Sequence, residues 1–289
     1  MSRVSSLAYA ALLIIASCSL AGAEERLASA EDKIDPVLAE MMRQGEEKEI
    51  AIIVMLSPGA DHDFAGLAEP AGLTVKYRYG LIPGLAGQAT GQAISDLAQD
   101  DRVAGIYFDR STSPQQSGQT EEARSDENET AEGAASTGPE NSSLPDGAFA
   151  SDSLEEYISP AQLIGADRLW EKGIDGRGVK VAVIDSGIDK NHPDLVGKVV
   201  AEKNFLSDEI TADDLLGHGT MVAGIIAGTG AASGGEYRGI APGADLISVK
   251  VIDGQGDGKV SDIIAGIEWA IYSGADVLSL SLGGINLGE

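Results

Sequence analysis

The chain has 289 residues, 43% of them hydrophobic, and a formal net charge of −26 from 46 acidic and 20 basic side chains. A chain this acidic repels nucleic acid and anionic membranes, which excludes DNA-, RNA- and polybasic lipid-binding roles. A lone cysteine, Cys18, excludes an intrachain disulfide and any cysteine-based zinc cluster.

Residues 1–23, MSRVSSLAYAALLIIASCSLAGA, read as an export signal, with Arg3 at the positive start, an apolar run over 7–16 and Ala21-Gly22-Ala23 as cleavage site. The run is short for a membrane span. Two readings compete: a lipoprotein signal, Ile15-Ala16-Ser17-Cys18, with Cys18 as the lipidated residue, and a structural N-terminal helix. All three place the rest of the chain outside the cytoplasm, secreted or extracellular.

Over 31–110 the pattern predicts a strand at 49–56 (EIAIIVML), a helix at 63–68, strands at 75–79 and 85–90 joined by Pro83-Gly84, a helix at 92–99 and a strand at 103–108. The order β-α-β-β-α-β predicts a small α+β, ferredoxin-like domain. Residues 111–153 are rich in Ser, Thr, Gly, Glu and Pro, with almost no large apolar side chains, and predict a disordered acidic linker. Asn128 and Asn141 begin sequons within it, equally readable as chance matches in a Ser/Thr-rich tract.

From residue 154 the alternation predicts an α/β fold, a doubly wound, mostly parallel sheet. A helix is predicted at 161–170, strands at 179–184, 198–201, 245–251 and 276–281, and helices at 219–227 and 260–272. The run VKVAVI is apolar throughout, as a parallel strand covered on both faces requires.

Function in such sheets gathers at the carboxyl ends of strands. Asp185 stands there, directly after VAVI. Alone it is also readable as a turn former or as a ribose-binding acid, but no G-x-G-x-x-G follows the strand. His218 opens a helix with small residues at Ala223, Gly224 and Ala227, which allow close packing and would hold an acid–base group rigidly. Ser279-Leu280-Ser281-Leu282-Gly283-Gly284 is a strand that ends in two glycines, leaving backbone groups bare for pairing with an extended peptide. The loop Asp253-Gly254-Gln255-Gly256-Asp257-Gly258 offers a second such edge, and a generic glycine turn explains either stretch taken singly.

Taken together, VIDSGID at 183–189, HPDL at 192–195, GHGTMVAG at 217–224, GIAPGADLISVKV at 239–251 and SLSLGG at 279–284 resemble the subtilisin-like serine proteases. The resemblance covers residues 154–289 and implies a secreted serine endopeptidase with triad order Asp, His, Ser. It implies that Asp185 holds the imidazole and His218 moves the proton. It further implies that 281–283 bind substrate residues before the scissile bond and that 256–258 pair with their other side. Residues 31–110 resemble the inhibitory, chaperone-like propeptide of that family, which makes the chain's own propeptide a partner beside the polypeptide substrate. Structural calcium, with Asp194 as a ligand, is also implied; the competing reading makes Asp194 a turn cap. Three histidines without H-E-x-x-H offer no catalytic zinc site.

The resemblance has a gap. The family's Gly-Thr-Ser-Met-Ala-like nucleophile segment has no counterpart among the 289 residues. The expectation is an N-terminal fragment, inactive alone, with a complementing C-terminal fragment as partner and ADVLSLSL as a long apolar sheet edge that lowers stability. The alternative is a non-catalytic secreted protein whose propeptide-like domain binds or inhibits another protease.

Overall fold

The computed structural model describes residues 29–44, 48–60, 63–114 and 159–284. The export signal, Cys18, His62, the sequons and residues 115–153 of the predicted linker lie outside the described residues.

The first module follows α1 (Pro36–Arg43) with β1 (Ile50–Leu56), α2 (Phe64–Ala71), β2 (Thr74–Arg78), β3 (Gly84–Ala89), α3 (Gly91–Ala98) and β4 (Val103–Phe108). Its sheet runs β2-β3-β1-β4, antiparallel throughout, which is the split βαβ arrangement. Side-chain caps start the helices: Asp63 accepts from Gly66 N–H and Thr90 from Ala93 N–H. The unbroken apolar run of β1 serves two cores. Ile50, Ile52, Val54 and Leu56 pack with Leu38, Leu67, Ile94 and Leu97 of the module's own helices. Ile53 faces the other way, with Tyr79 and Ala86, onto Ile264 and Ala265 of a helix in the second module. Strand alternation sends odd and even residues to opposite faces, so a sheet covered twice needs apolar residues at both.

The second module's main sheet has the order β10-β6-β8-β7, all parallel, from β6 (Lys180–Asp185), β7 (Val199–Asn204), β8 (Asp245–Lys250) and β10 (Val277–Ser279). Helix α6 (His218–Ala227) covers one face through Val222, Ala223 and Ala227 against Val181, Val183 and Leu246. Helix α7 (Val260–Tyr272) covers the other through Ile267, Ala270 and Ile271 against Ala182, Ile184, Ile247 and Val249. Helices on both faces of a parallel sheet make the predicted doubly wound layering.

Several local expectations are corrected. The predicted helix at 161–170 is two short ones, α4 (Pro160–Leu163) and α5 (Ala166–Trp170), because Gly165 between them takes φ +75° and ends the helical run. The strand at 276–281 shortens to the three residues of β10, so the long apolar edge is absent. Past it the chain leaves the parallel sheet, and Leu280 and Leu282 beyond it join Leu278 of β10 against the core under α7. The head of the predicted linker is ordered: β5 (Ser111–Pro114) is the middle strand of a small antiparallel sheet between β11 (Leu282–Gly284) and β9 (Gly258–Lys259).

The modules meet through carboxylates. Asp109 accepts both the N–H (2.9 Å) and the hydroxyl (2.7 Å) of Ser261 at the start of α7. Asp262 accepts from Lys76 Nζ and the Tyr77 hydroxyl, each at 2.7 Å. Glu268 accepts the backbone N–H groups of Gly80 and Leu81. Burial, then the Asp262 hydrogen bond, pushes the Tyr77 phenol far above its ordinary range.

Candidate active site

Asp185 is the last residue of β6 and almost fully buried. Its carbonyl accepts Val251 N–H at 2.8 Å and Ile252 N–H at 3.2 Å, which locks the strand end to the loop after β8. His218 is the first residue of α6, entered through Gly217 at φ 92°. The two side chains meet, with His218 Nδ1 at 2.8 Å from Asp185 Oδ1 and 3.0 Å from Oδ2. Oδ1 also accepts Ser186 N–H at 2.7 Å. A carboxylate already accepting one N–H favours the imidazole tautomer with hydrogen on Nδ1, leaving the Nε2 lone pair free. The carboxylate is 1% exposed and the imidazole 16%, so one partner is sealed and the other keeps a solvent-facing edge.

Close approach of α6 to the strand end makes the contact. A side chain at Gly219 would collide with the Gly187 carbonyl and press on Asp185 at 3.2 Å, so only glycine fits there.

A second tier of residues, not singled out by the sequence, surrounds the pair. Asp214 accepts from the Ser186 hydroxyl (2.8 Å), Leu216 N–H (3.0 Å), Gly217 N–H (2.8 Å), Thr220 N–H (2.8 Å) and the Thr220 hydroxyl (2.6 Å). Burial alone would push its carboxyl up. The Thr220 hydroxyl and N–H, Gly217 N–H and the Ser186 hydroxyl outweigh burial and hold it below the ordinary carboxylate range. Lys250, fully buried beneath the site, donates to the Ser186 carbonyl at 2.6 Å and pairs with Glu209 at 3.0 Å. The signal for Asp214 was an Asx-type residue three positions before the glycine that opens a helix. Lys250 read only as a strand residue.

The proposed peptide-binding edges divide. Leu282 and Gly283 pair with Pro114 and Ser113, and Gly258 pairs with Thr112. Thr112 also donates its hydroxyl to the Gly283 carbonyl at 2.6 Å, and Lys259 Nζ reaches the Ser111 hydroxyl at 2.9 Å. Ser281 lies just before this ladder. Gly256 and Asp257 are outside it too, because their N–H groups turn back onto the Asp253 carbonyl and carboxylate. A segment of the same chain therefore occupies the groove between β9 and β11 as an extended strand.

Asp194 lies apart from the pair, in the turn before β7. Its Oδ1 accepts Ala232 N–H at 2.8 Å and its carbonyl accepts Thr229 N–H at 3.0 Å, so it ties down the loop after α6. Among the described residues no three His, Cys, Asp or Glu side chains converge as metal ligands. His192 Nδ1 accepts Asp194 N–H and belongs to the same turn.

Residues 176–287 match the Subtilase family model. Over 136 residues the chain is 43% identical to the Major intracellular serine protease of Bacillus subtilis (strain 168), which is 45% of this chain and 42% of that protein. Over 122 residues it is 48% identical to Subtilisin E of the same organism, 42% of this chain and 31% of that protein. Over 145 residues it is 38% identical to that organism's Minor extracellular protease Vpr, 45% of this chain and 17% of that protein. The chain spans less than half the length of these relatives. Among the described residues no helix is long and apolar enough to cross a membrane. The motifs and the parallel sheet that carries them agree with these matches, and over residues 176–287 the chain is similar to the Subtilase family.

Proposed function

We propose that Asp185 and His218 are the orienting acid and the general base of a secreted serine endopeptidase. The observation that carries this reading is the 2.8 Å contact between Asp185 Oδ1 and His218 Nδ1 at the carboxyl end of a parallel strand. In this reading Asp185 fixes the tautomer and stabilises the imidazolium, and Nε2 takes a proton from a serine hydroxyl and returns it to the leaving amine. Among the described residues no serine hydroxyl bonds to His218; the hydroxyl of the nearby Ser186 is already committed to Asp214 and Gly219 N–H. This reading takes the nucleophile from a complementing C-terminal subtilase segment.

The substrate class is an extended polypeptide. Support comes from β5, which pairs with β9 on one side and β11 on the other, as a peptide laid in the groove would. The first module acts as an intramolecular propeptide in this reading, seated by Asp109, Asp262 and Glu268. The same seating would let it bind a related protease in trans, which keeps an inhibitor role as the second reading.

The test is a chimera joining residues 1–284 to the part of Subtilisin E that follows its matching segment. Hydrolysis of a fluorogenic peptide, blocked by a serine-directed sulfonyl fluoride and abolished by His218→Ala, is the expected result. A chimera that melts cooperatively yet hydrolyses nothing after removal of the first module would overturn the peptidase reading.

A further inference from the structure

Asp185 and His218 sit on separate elements, one ending a strand and the other opening a helix, and nothing covalent holds them in register. Acid–base work needs such groups fixed to within about 0.5 Å. The residues that follow each of them are bonded to one another: the Ser186 hydroxyl accepts Gly219 N–H at 2.9 Å. That hydroxyl spends its own proton on Asp214 Oδ1 at 2.8 Å. We infer that Asp214, acting through Ser186 and the first turn of α6, is a positioning residue that sets the His218 ring against Asp185. The inference rests on the proposed role of the pair.

Three features support it. Gly217, the N-terminal flanking residue of α6, has no side chain with which to cap the helix, and Asp214 supplies the missing acceptor from three residues upstream. Its two oxygens divide the task. Oδ1 gathers Ser186, Leu216 and Gly217, which lead into the helix, and Oδ2 gathers both donors of Thr220 inside it. His218 lies between those two sets, so the carboxylate brackets it along the chain. A negative charge at a helix N-terminus also suits the partial positive charge there. Apart from Asp185 itself, no other side chain among the described residues is bonded both to the residue after Asp185 and to the turn that carries His218.

The test uses the full chain labelled with ¹⁵N-histidine and reads the low-field ring N–H proton of His218, assigned by its absence in His218→Gln. Wild type should show it, and Asp185→Asn should remove it. Asp214→Ala should lose it. Asp214→Asn, which keeps the Oδ1 acceptor for Ser186, Leu216 and Gly217, should retain it. Ile247→Val, which loosens the sheet core without touching these bonds, should also retain it, separating positioning from mere loss of stability. An unshifted signal in Asp214→Ala overturns the inference and leaves the pair intact. A wild type without any signal that depends on Asp185 overturns the reading of the pair, and this inference with it. Should Asp214→Ala fail to melt cooperatively, Thr220→Val takes its place: a shifted or broadened signal supports the inference and an unmoved one overturns it.

Discussion

Replacing Asp109 by alanine tests how the first module is fastened to the second. Asp109 is 5% exposed and Ser261 fully buried, so no water reaches the donors that the carboxylate serves. The flanking residue Lys259 gives α7 no side-chain cap, and Asp109 supplies that acceptor from the other module. Alanine would orphan the Ser261 N–H and its hydroxyl together. A buried donor without a partner costs about 1–3 kcal/mol, and the hydroxyl can rotate to recover part of its share. The sum comes to about 2–4 kcal/mol. Asparagine keeps one oxygen for the N–H and offers its amide to the hydroxyl as a donor, so Asp109→Asn should cost about 1 kcal/mol or less. Urea unfolding reads both, as a shift of midpoint at constant slope. Equal losses in the two variants, or a loss of under about 0.5 kcal/mol in the alanine variant, would refute the reasoning, since surface changes of no consequence fall in that range.

Gly219→Ala should destabilise the chain by about 1–3 kcal/mol through overpacking against Gly187 and Asp185, with a matching drop in melting temperature; an unchanged melt would mean the helix has room to retreat. Because folding lowers the Asp214 carboxyl, its stabilising contribution is complete above the unfolded value near 3.8 and is lost as pH falls through the folded value. The stability gap between wild type and Asp214→Asn should therefore be flat from neutral pH to about pH 5 and narrow only below the unfolded value. Tyr77 and Tyr79 are pushed above their ordinary value of 10.0, first by burial and then by the carboxylates around them. Ultraviolet titration should find both phenols protonated until alkaline unfolding, and early titration of either would show that the interface admits water.

The sequence foretold most of the elements because their apolar payload is local. The run EIAIIVML announces a strand and the run VKVAVI a strand covered on two faces, and in the structure both are covered twice. What the sequence could not disclose was which second cover β1 has. Ile53 looks like any other isoleucine of the strand, yet it faces Ile264, more than two hundred residues away in the chain. Residues 111–114 carry no large side chain, so no hydrophobic term advertises their order. They are held by ladder bonds to β9 and β11 and by the Thr112 hydroxyl, partners that come together only in the folded chain. The break at Gly165 was hidden because a glycine inside an otherwise helical pattern has either outcome. At the site, Asp185 and His218 stood out at the strand end and the helix start, but only the joint motifs coupled them. Asp214 was not legible, because a carboxylate in a polar loop is ordinarily solvated, and only the approach of Ser186 and Thr220 makes it a hub.

The most direct test of the central claim is the tautomer of His218, read from the ¹⁵N shifts of its two ring nitrogens in the full chain. The neutral ring should carry its proton on Nδ1, held by Asp185, and leave Nε2 bare. A neutral ring carrying its proton on Nε2 would leave no base for a serine hydroxyl and would contradict the account.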